Sequence, residues 1–294
     1  MSFTSSSNAR GPAGDAPSEP RPLLGTSDPP PFQVFNGDAT APVVIVCDHA
    51  GRAIPAALGT LGLDDDLLHR HIAYDIGAAQ LTRLIAQRLA APAVLATYSR
   101  LVIDCNRPPG EAQSILDVSD GVRVPGNAGI REAAREARHD ACHAPYHRAI
   151  DAEISRLRAL GTAPAVFSVH TFTPSLAGSD RMWDLSVLWN EDARIAAPLI
   201  DILRREPGLA IGDNEPYSGR QLAYTLNRHG GDAGLANAAV EVRQDHCQSR
   251  WELDRWADLL AGALERILAL PGVGMSGGGD EEAGNGTGGN GAAP

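Results

Sequence analysis

Two histidines in this chain each follow a short apolar run: His49 comes after Asp48 and residues 43–47, and His170 comes after residues 165–169. Imidazoles held at strand ends can share one metal ion. A catalytic zinc centre takes three protein ligands from His and carboxylates and leaves one position open for water. Three further signals lie where such an ion needs partners: Asp75 at an expected helix start, Asp104-Cys105-Asn106-Arg107 after another apolar run, and Glu241 within residues 238–242. Together they point to zinc-dependent hydrolysis of an amide.

His49, Asp75 and His170 make the expected ligand set. Each has a plainer reading, since either His can be an ordinary polar loop residue and Asp at a helix start is a common N-cap. Two histidines at strand ends favour the metal, because the strand ends of a parallel sheet face one crevice. Asp104, and Asp48 in the same way, is suited to accept a hydrogen bond from a ligating imidazole and fix its tautomer. Glu241 stands among Ala238, Ala239, Val240 and Val242, and burying a carboxylate without a partner is costly. It is expected to take a proton from the attacking water and pass it to the leaving nitrogen. The rival reading is an ion pair with Arg243, which shares its strand face.

Arginines recur in the same loops: Arg52, Arg100, Arg107, Arg181 and Arg243. Gathered at one crevice they make a cationic pocket inside an acidic chain, suited to holding carboxylates by paired hydrogen bonds. Arg107 is the expected principal anchor, with Asn106 and Arg100 beside it and Tyr217 and Arg243 as further substrate contacts. His143 and His147 lie four apart, a zinc-binding spacing on a helix. Pro145 separates them, however, and no Glu follows His143. His147 is therefore expected to touch the substrate or support the reacting groups, and His143 to face solvent. His69 and His71 have no comparable context.

The elements must bring these residues together. Residues 43–46 are apolar and β-branched, the pattern of a parallel strand covered on both faces. A helix is expected over 75–89, with Ile76, Leu81, Leu84, Ile85 and Leu89 on one stripe. Residues 93–97 and 101–104 read as strand segments. The stretch 108–127 is long, aperiodic and rich in Gly and Pro, and is expected to cover the site. Residues 130–160 have a helical pattern that Pro145 should kink or break. Strands at 165–170, 185–189, 209–211 and 238–242 then alternate with helices over 192–205, 222–227 and 249–270. This alternation predicts an α/β fold: one domain, with a mainly parallel mixed sheet flanked by helices.

The 294 residues, 43% of them hydrophobic, suffice for a large core. Residues 1–35, rich in Ser, Pro and Gly, and the Gly-rich 272–294 read as disordered tails around a domain at 36–271. No signal-peptide pattern opens the chain, and no run approaches the roughly 18 apolar residues of a membrane span. Four scattered cysteines without a Cys-x-x-Cys pair are expected as reduced thiols. These features predict a cytoplasmic protein. The formal charge of −11 argues against nucleic acid and anionic membrane as partners, both of which attract clustered cations.

With these residues in view, the chain resembles the N-formylglutamate amidohydrolase family over about residues 40–270. The resemblance rests on Cys47-Asp48-His49-Ala50-Gly51, Ala73-Tyr74-Asp75-Ile76-Gly77-Ala78, Tyr98-Ser99-Arg100-Leu101-Val102-Ile103-Asp104-Cys105-Asn106-Arg107-Pro108, Pro145-Tyr146-His147, Val169-His170-Thr171 and Val240-Glu241-Val242-Arg243-Gln244-Asp245. It implies a phosphorylase/hydrolase-like fold akin to that of zinc carboxypeptidases and aspartoacylases. Those relatives share an Asp-x-Asn-Arg segment, a zinc His after an early strand, another before a small hydroxyl residue, and a Glu base on a late strand. Asp104 to Arg107, His49, His170 with Thr171, and Glu241 match in turn. Where those relatives carry a Glu ligand three residues after the first His, this chain has Arg52, so its third ligand lies elsewhere. The resemblance further implies hydrolysis of a small anionic N-acyl amino acid such as N-formyl-L-glutamate, with zinc or another divalent metal. A carboxypeptidase-like or cell-wall peptide amidase, and a metal-free binding protein prompted by Arg52, are the alternative readings.

Overall fold

Apolar runs and amphipathic segments alternate along the chain, and in the computed structural model they build one seven-stranded sheet with helices on both faces. The structure describes residues 22–176 and 178–274. The strands are β1 (Phe32–Phe35), β2 (Val43–Cys47), β3 (Ala93–Ala96), β4 (Ala165–Phe172), β5 (Leu185–Leu188), β6 (Ile211–Asp213) and β7 (Asn237–Arg243). Their order across the sheet is β1-β3-β2-β4-β7-β5-β6. The four central strands β3, β2, β4 and β7 run parallel. β1 is antiparallel to β3 and β5 to β7, while β6 is parallel to β5.

Every residue of β2 and β4 is buried, as strands covered on both faces must be. Successive side chains serve opposite layers. Val43 and Ile45 pack with α1 (Ala78–Leu89), α4 (Ala196–Leu203) and α5 (Arg250–Leu268), through Leu81, Ile85, Leu199, Trp256 and Leu260. Val44 and Val46 meet Tyr146, Ile150 and Leu157 of α3 (Ala144–Ala159) on the other side. The start of α5 is fixed by a capping box, in which Ser249 and Glu252 satisfy each other's backbone N–H groups. Among the described residues, no helix is long and apolar enough to cross a membrane.

Several elements depart from expectation. The helix predicted from Asp75 begins at Ala78, because Gly77 at φ 88° turns the chain just before it. Asp75 therefore does not cap the helix. Residues 101–104 form no strand: the Ser99 hydroxyl donates to the Ala73 carbonyl and accepts from the Leu101 N–H, diverting the backbone into turns. The path does not break at Pro145: α2 (Glu132–Arg138) continues into α3 through a π-helical turn at His139–His143, and Pro145 sits in the first turn of α3. The segment 108–127 carries a small hairpin, Val118–Ser119 with Val122–Arg123. It borders a depression beside the site and contributes no residue to the central cavity.

The expected N-terminal tail needs shortening, because Phe32–Phe35 pairs with β3 and Phe32 packs on the α3 layer. The Tyr98 hydroxyl also donates to the Pro29 carbonyl at 2.7 Å. At the other end Val273 is buried. The rest of both expected tails, residues 1–21 and 275–294, lies outside the described residues.

Gly51 sets how closely the turn after His49 approaches β3: a Cβ there would lie 1.9 Å from the Thr97 carbonyl oxygen. Gly51→Ala is expected to destabilise the protein by about 1–3 kcal/mol, the usual cost of overpacking. Urea unfolding of the two proteins measures the difference.

Candidate metal centre and substrate cavity

β2 delivers Asp48 and His49 at its carboxyl end, and the His49 carbonyl accepts the Asp75 N–H at 3.0 Å, tying the two loops together. β4 carries His170 two residues before its end, in register with Glu241 on β7. Parallel neighbours thus set the second imidazole beside the lone glutamate.

The His49 and His170 rings lie 5.0 Å apart, centroid to centroid. His49 Nδ1 is 3.3 Å and His170 Nδ1 2.8 Å from the same atom, Asp75 Oδ2. The opposite nitrogens face other carboxylates: His49 Nε2 is 2.7 Å from Asp104 Oδ1, and His170 Nε2 is 3.0 Å from Asp48 Oδ2. An ionised carboxylate only accepts, so each Nε2 carries its proton. In the neutral rings, Nδ1 is then a lone pair aimed at Asp75. Two imidazole lone pairs and a carboxylate oxygen, all buried and within 4.8 Å of one another, are an arrangement that only protons or a cation can reconcile. The residues fit a divalent metal: two His and one carboxylate form a donor set suited to catalytic zinc.

The surrounding carboxylates are themselves held. Asp48 Oδ1 accepts from the Tyr146 hydroxyl at 2.9 Å and the Thr225 hydroxyl at 2.6 Å. Arg100 bridges Asp75 Oδ1 at 3.1 Å and Asp104 Oδ2 at 3.4 Å. Burial alone would raise the pKa of Asp48 and Asp104, but His170 beside the first, and His49 with Arg100 beside the second, keep both far below the usual carboxylate range. Asp75 is likewise held well below it, against its burial, by His49, Arg100 and His170. Burial and Arg100 act against protonation of His49, yet Asp104 and Asp75 raise its pKa. His170 is raised strongly against burial by Asp48 and Asp75.

His49, Asp75, Arg100, Asp104 and His170 line a cavity of about 160 Å³. Glu241 faces it and, among the described residues, makes no ion pair with Arg243. Burial pushes the Glu241 pKa up to about 7, with His170 opposing, Asp75 adding to the rise, and Arg100 opposing. Arg107, Arg181 and Tyr217 also line the cavity. Neither Arg107 nor Arg181 has a carboxylate partner among the described residues. Arg181 lies over the Tyr217 ring at 4.8 Å and donates to the Tyr217 hydroxyl.

Other expected site residues stand elsewhere or are occupied. Arg243 is turned away from the cavity, since Asp245 at 2.8 Å, Asp184 at 3.4 Å and the Arg181 and Trp183 carbonyls consume its guanidinium. His147 is fully buried and does not reach the cavity, as both its nitrogens are engaged by Cys105 and His229. His143, expected in solvent, is fully buried as well. Arg100 lines the cavity but spends its charge on Asp75 and Asp104. Asn106 also lines it, and its side-chain amide holds the Leu222 carbonyl and the Thr225 N–H. The sequence signal for Arg181 is its place in the loop after the strand that carries His170. Tyr146 was within reach beside His147, whereas Thr225 carried no local signal.

A mixed-sheet α/β fold with a His, Asp and His cluster at the strand ends is thus a hydrolase-like architecture. A family model described as N-formylglutamate amidohydrolase matches residues 41–247, and the chain belongs to that family. A gene product of Agrobacterium tumefaciens is 32% identical over 84% of this chain and 98% of its own, with a TM-score of 0.81. An N-formylglutamate amidohydrolase from Ralstonia eutropha shares the fold at 17% identity, over 81% of this chain and 96% of its own, with a TM-score of 0.56. No curated protein matches the chain. Family membership supports hydrolysis of an amide bond.

The raised pKa values of His49 and His170 give the metal-free protein stability that is fully present below their unfolded value and lost as pH rises through their folded values. A bound cation takes the place of those protons, so zinc should stabilise the protein more on the alkaline side than on the acid side. Free zinc at a hundred times its dissociation constant corresponds to about 2.7 kcal/mol. Thermal melts with chelator and with zinc, at mildly acid and mildly alkaline pH, measure both the size and the sign.

Proposed function

We propose that this protein is a zinc-dependent amidohydrolase that cleaves small N-acyl amino acids, with N-formyl-L-glutamate as its preferred substrate. The single observation that carries the reading is the meeting of His49 Nδ1, His170 Nδ1 and Asp75 Oδ2 beside Glu241 in one cavity. His49, Asp75 and His170 would hold the metal, which supplies polarisation of the acyl carbonyl and acidifies water.

The chain's own residues do the rest. Ionised Glu241 takes a proton from the attacking water as its oxygen bonds to the acyl carbon. The same carboxyl then gives that proton to the nitrogen as the C–N bond breaks, releasing the amine and the acid. A pKa near 7 suits both halves of this cycle. Asp48 and Asp104 keep the two imidazoles oriented and in one tautomer, without exchanging protons with substrate. Arg107 and Arg181, cavity guanidiniums without carboxylate partners among the described residues, each hold one substrate carboxylate, and Tyr217 supports Arg181. Two free cations favour a dicarboxylic amino acid over a neutral one. The four buried free cysteines accord with a reducing, cytoplasmic setting.

A second reading rests on the depression beside the cavity, about 450 Å³, which shares Arg100, Asp104 and Arg107 with it and adds Gln113, Leu116 and Asp120. It favours a peptide-sized substrate. Comparing N-formyl-L-glutamate with the same compound extended by one residue at its α-carboxyl separates the two readings.

Glu241→Gln is expected to lower kcat by about 10²–10⁴-fold, the span of general acid–base catalysis, with zinc content unchanged. Arg107→Ala and Arg181→Ala should act chiefly on KM. Steady-state kinetics and metal analysis check all three. Full turnover by Glu241→Gln would remove the mechanism, and a zinc-free protein after metal-replete expression would favour a binding protein over an enzyme.

A further inference from the structure

The loop at residues 104–107 turns Asp104, Asn106 and Arg107 toward the cavity, while two of its backbone carbonyls face the other way, toward α3. There they meet buried histidines. His147 Nε2 is 2.9 Å from the Cys105 oxygen, and His143 Nε2 is 3.1 Å from the Arg107 oxygen. A carbonyl only accepts, so both Nε2 atoms carry hydrogen. Behind them the chain of contacts continues: His147 Nδ1 is 2.8 Å from His229 Nε2, and His229 Nδ1 is 2.8 Å from Asp151 Oδ1.

We infer that Asp151, His229 and His147 are positioning residues that hold the substrate-facing loop 104–107 from behind, through two imidazoles that share three N–H protons. The count follows from the partners. The Cys105 carbonyl takes one hydrogen from His147, and the Asp151 carboxylate takes one from His229. A third must lie between the rings, because two lone pairs at that separation would repel. Asp151 sets a carboxylate against His229 while, among the described residues, no carboxylate contacts His147, so this geometry assigns the extra proton to His229, and burial, with His143 alongside, lowers the His147 pKa to about 2. Burial lowers His229 too, Asp151 opposes this, and Arg228 adds to the lowering. His143, Tyr146 and Tyr224 stand against His147, the Asp48 charge acts on both rings, and Arg228 lies 3.8 Å from Asp151. The side chain of His229 is 1% exposed and that of Asp151 is 53% exposed, so the counter-charge stands at the surface.

The backbone is built for this arrangement. His143, His147 and Asp151 follow one another at intervals of four, one face of a continuous helical path. Both π-helical turns among the described residues, His139–His143 and Asn227–Gly231, contain members of the cluster. Such turns are rare and concentrate at functional sites.

The inference rests on the proposed amide hydrolysis for its kinetic readout but not for its spectroscopic one. His229→Leu removes the donor to His147, whereas His229→Gln restores a neutral one. With N-formyl-L-glutamate, the leucine variant should raise KM by up to about a hundredfold through displacement of Arg107, with zinc content unchanged. The glutamine variant should recover most of that loss. An unchanged KM in His229→Leu, or no recovery in His229→Gln, overturns the inference. ¹⁵N spectra of the histidines at mildly acid pH test it without substrate. They should report His229 protonated on both nitrogens and His147 protonated on Nε2 only. In the surface variant Asp151→Asn, which spares the core, the doubly protonated signal should vanish. A neutral His229 in the wild type, or a doubly protonated one in Asp151→Asn, contradicts the assignment. If the wild type turns over no N-formyl-L-glutamate, the functional reading fails, and the spectra alone decide the relay.

Discussion

Three electron-pair donors aimed at one buried point constrain everything around them. His49 Nδ1 and His170 Nδ1 both face Asp75 Oδ2, and none of the three can satisfy another without a shared cation or proton. The protein spends much of its polar interior on maintaining that geometry. Asp104 and Asp48 each fix one imidazole from the far side, Arg100 spans Asp75 and Asp104, and Tyr146 and Thr225 fix Asp48. Buried charges persist only when paired and hydrogen-bonded, and this network meets that condition at every member. Glu241 departs from it. Among the described residues its carboxyl has no such partner, and burial accordingly raises its pKa to about 7.

The same economy divides the arginines by role. Arg100 is committed to Asp75 and Asp104 and Arg243 to Asp184 and Asp245, so neither has charge to spare for another anion. Arg107 and Arg181 retain theirs. In a chain of formal charge −11, two uncommitted guanidiniums in one small cavity form a local exception, and they define what the cavity can attract. The sheet supplies the rigidity for this selection: β4 and β7 place His170 and Glu241 in register, and the turn at Gly51 fixes the distance of His49 from β3.

Much of this was legible in the sequence, and the limits have physical causes. The strands around Val43 and Ala165 announced themselves because both faces are covered, which leaves unbroken apolar runs. Glu241 was conspicuous for the same reason, as an acid inside such a run. Asp75 was ambiguous because an Asp before a helix looks the same whether it caps the helix or turns into a site, and only Gly77 decides between them. The pairing of Arg243 could not be read from strand parity, since Asp184 comes from a loop and Asp245 from the 3-10 turn Gln244–His246 that ends the strand. His147 and His143 carried a ligand-like spacing, but Cys105, Arg107 and His229, which engage them, lie far along the chain. Expected elements that failed, such as the strand at 101–104, failed where a single hydroxyl, Ser99, competes for backbone groups.

A crystal structure of the protein grown with zinc tests the central claim most directly. The account predicts one ion bound by His49 Nδ1, His170 Nδ1 and a carboxylate oxygen of Asp75 at about 2.0–2.2 Å. Both Nε2 atoms should still face Asp48 and Asp104. Zinc bound elsewhere, or bound through an Nε2 with the imidazoles turned over, would contradict it.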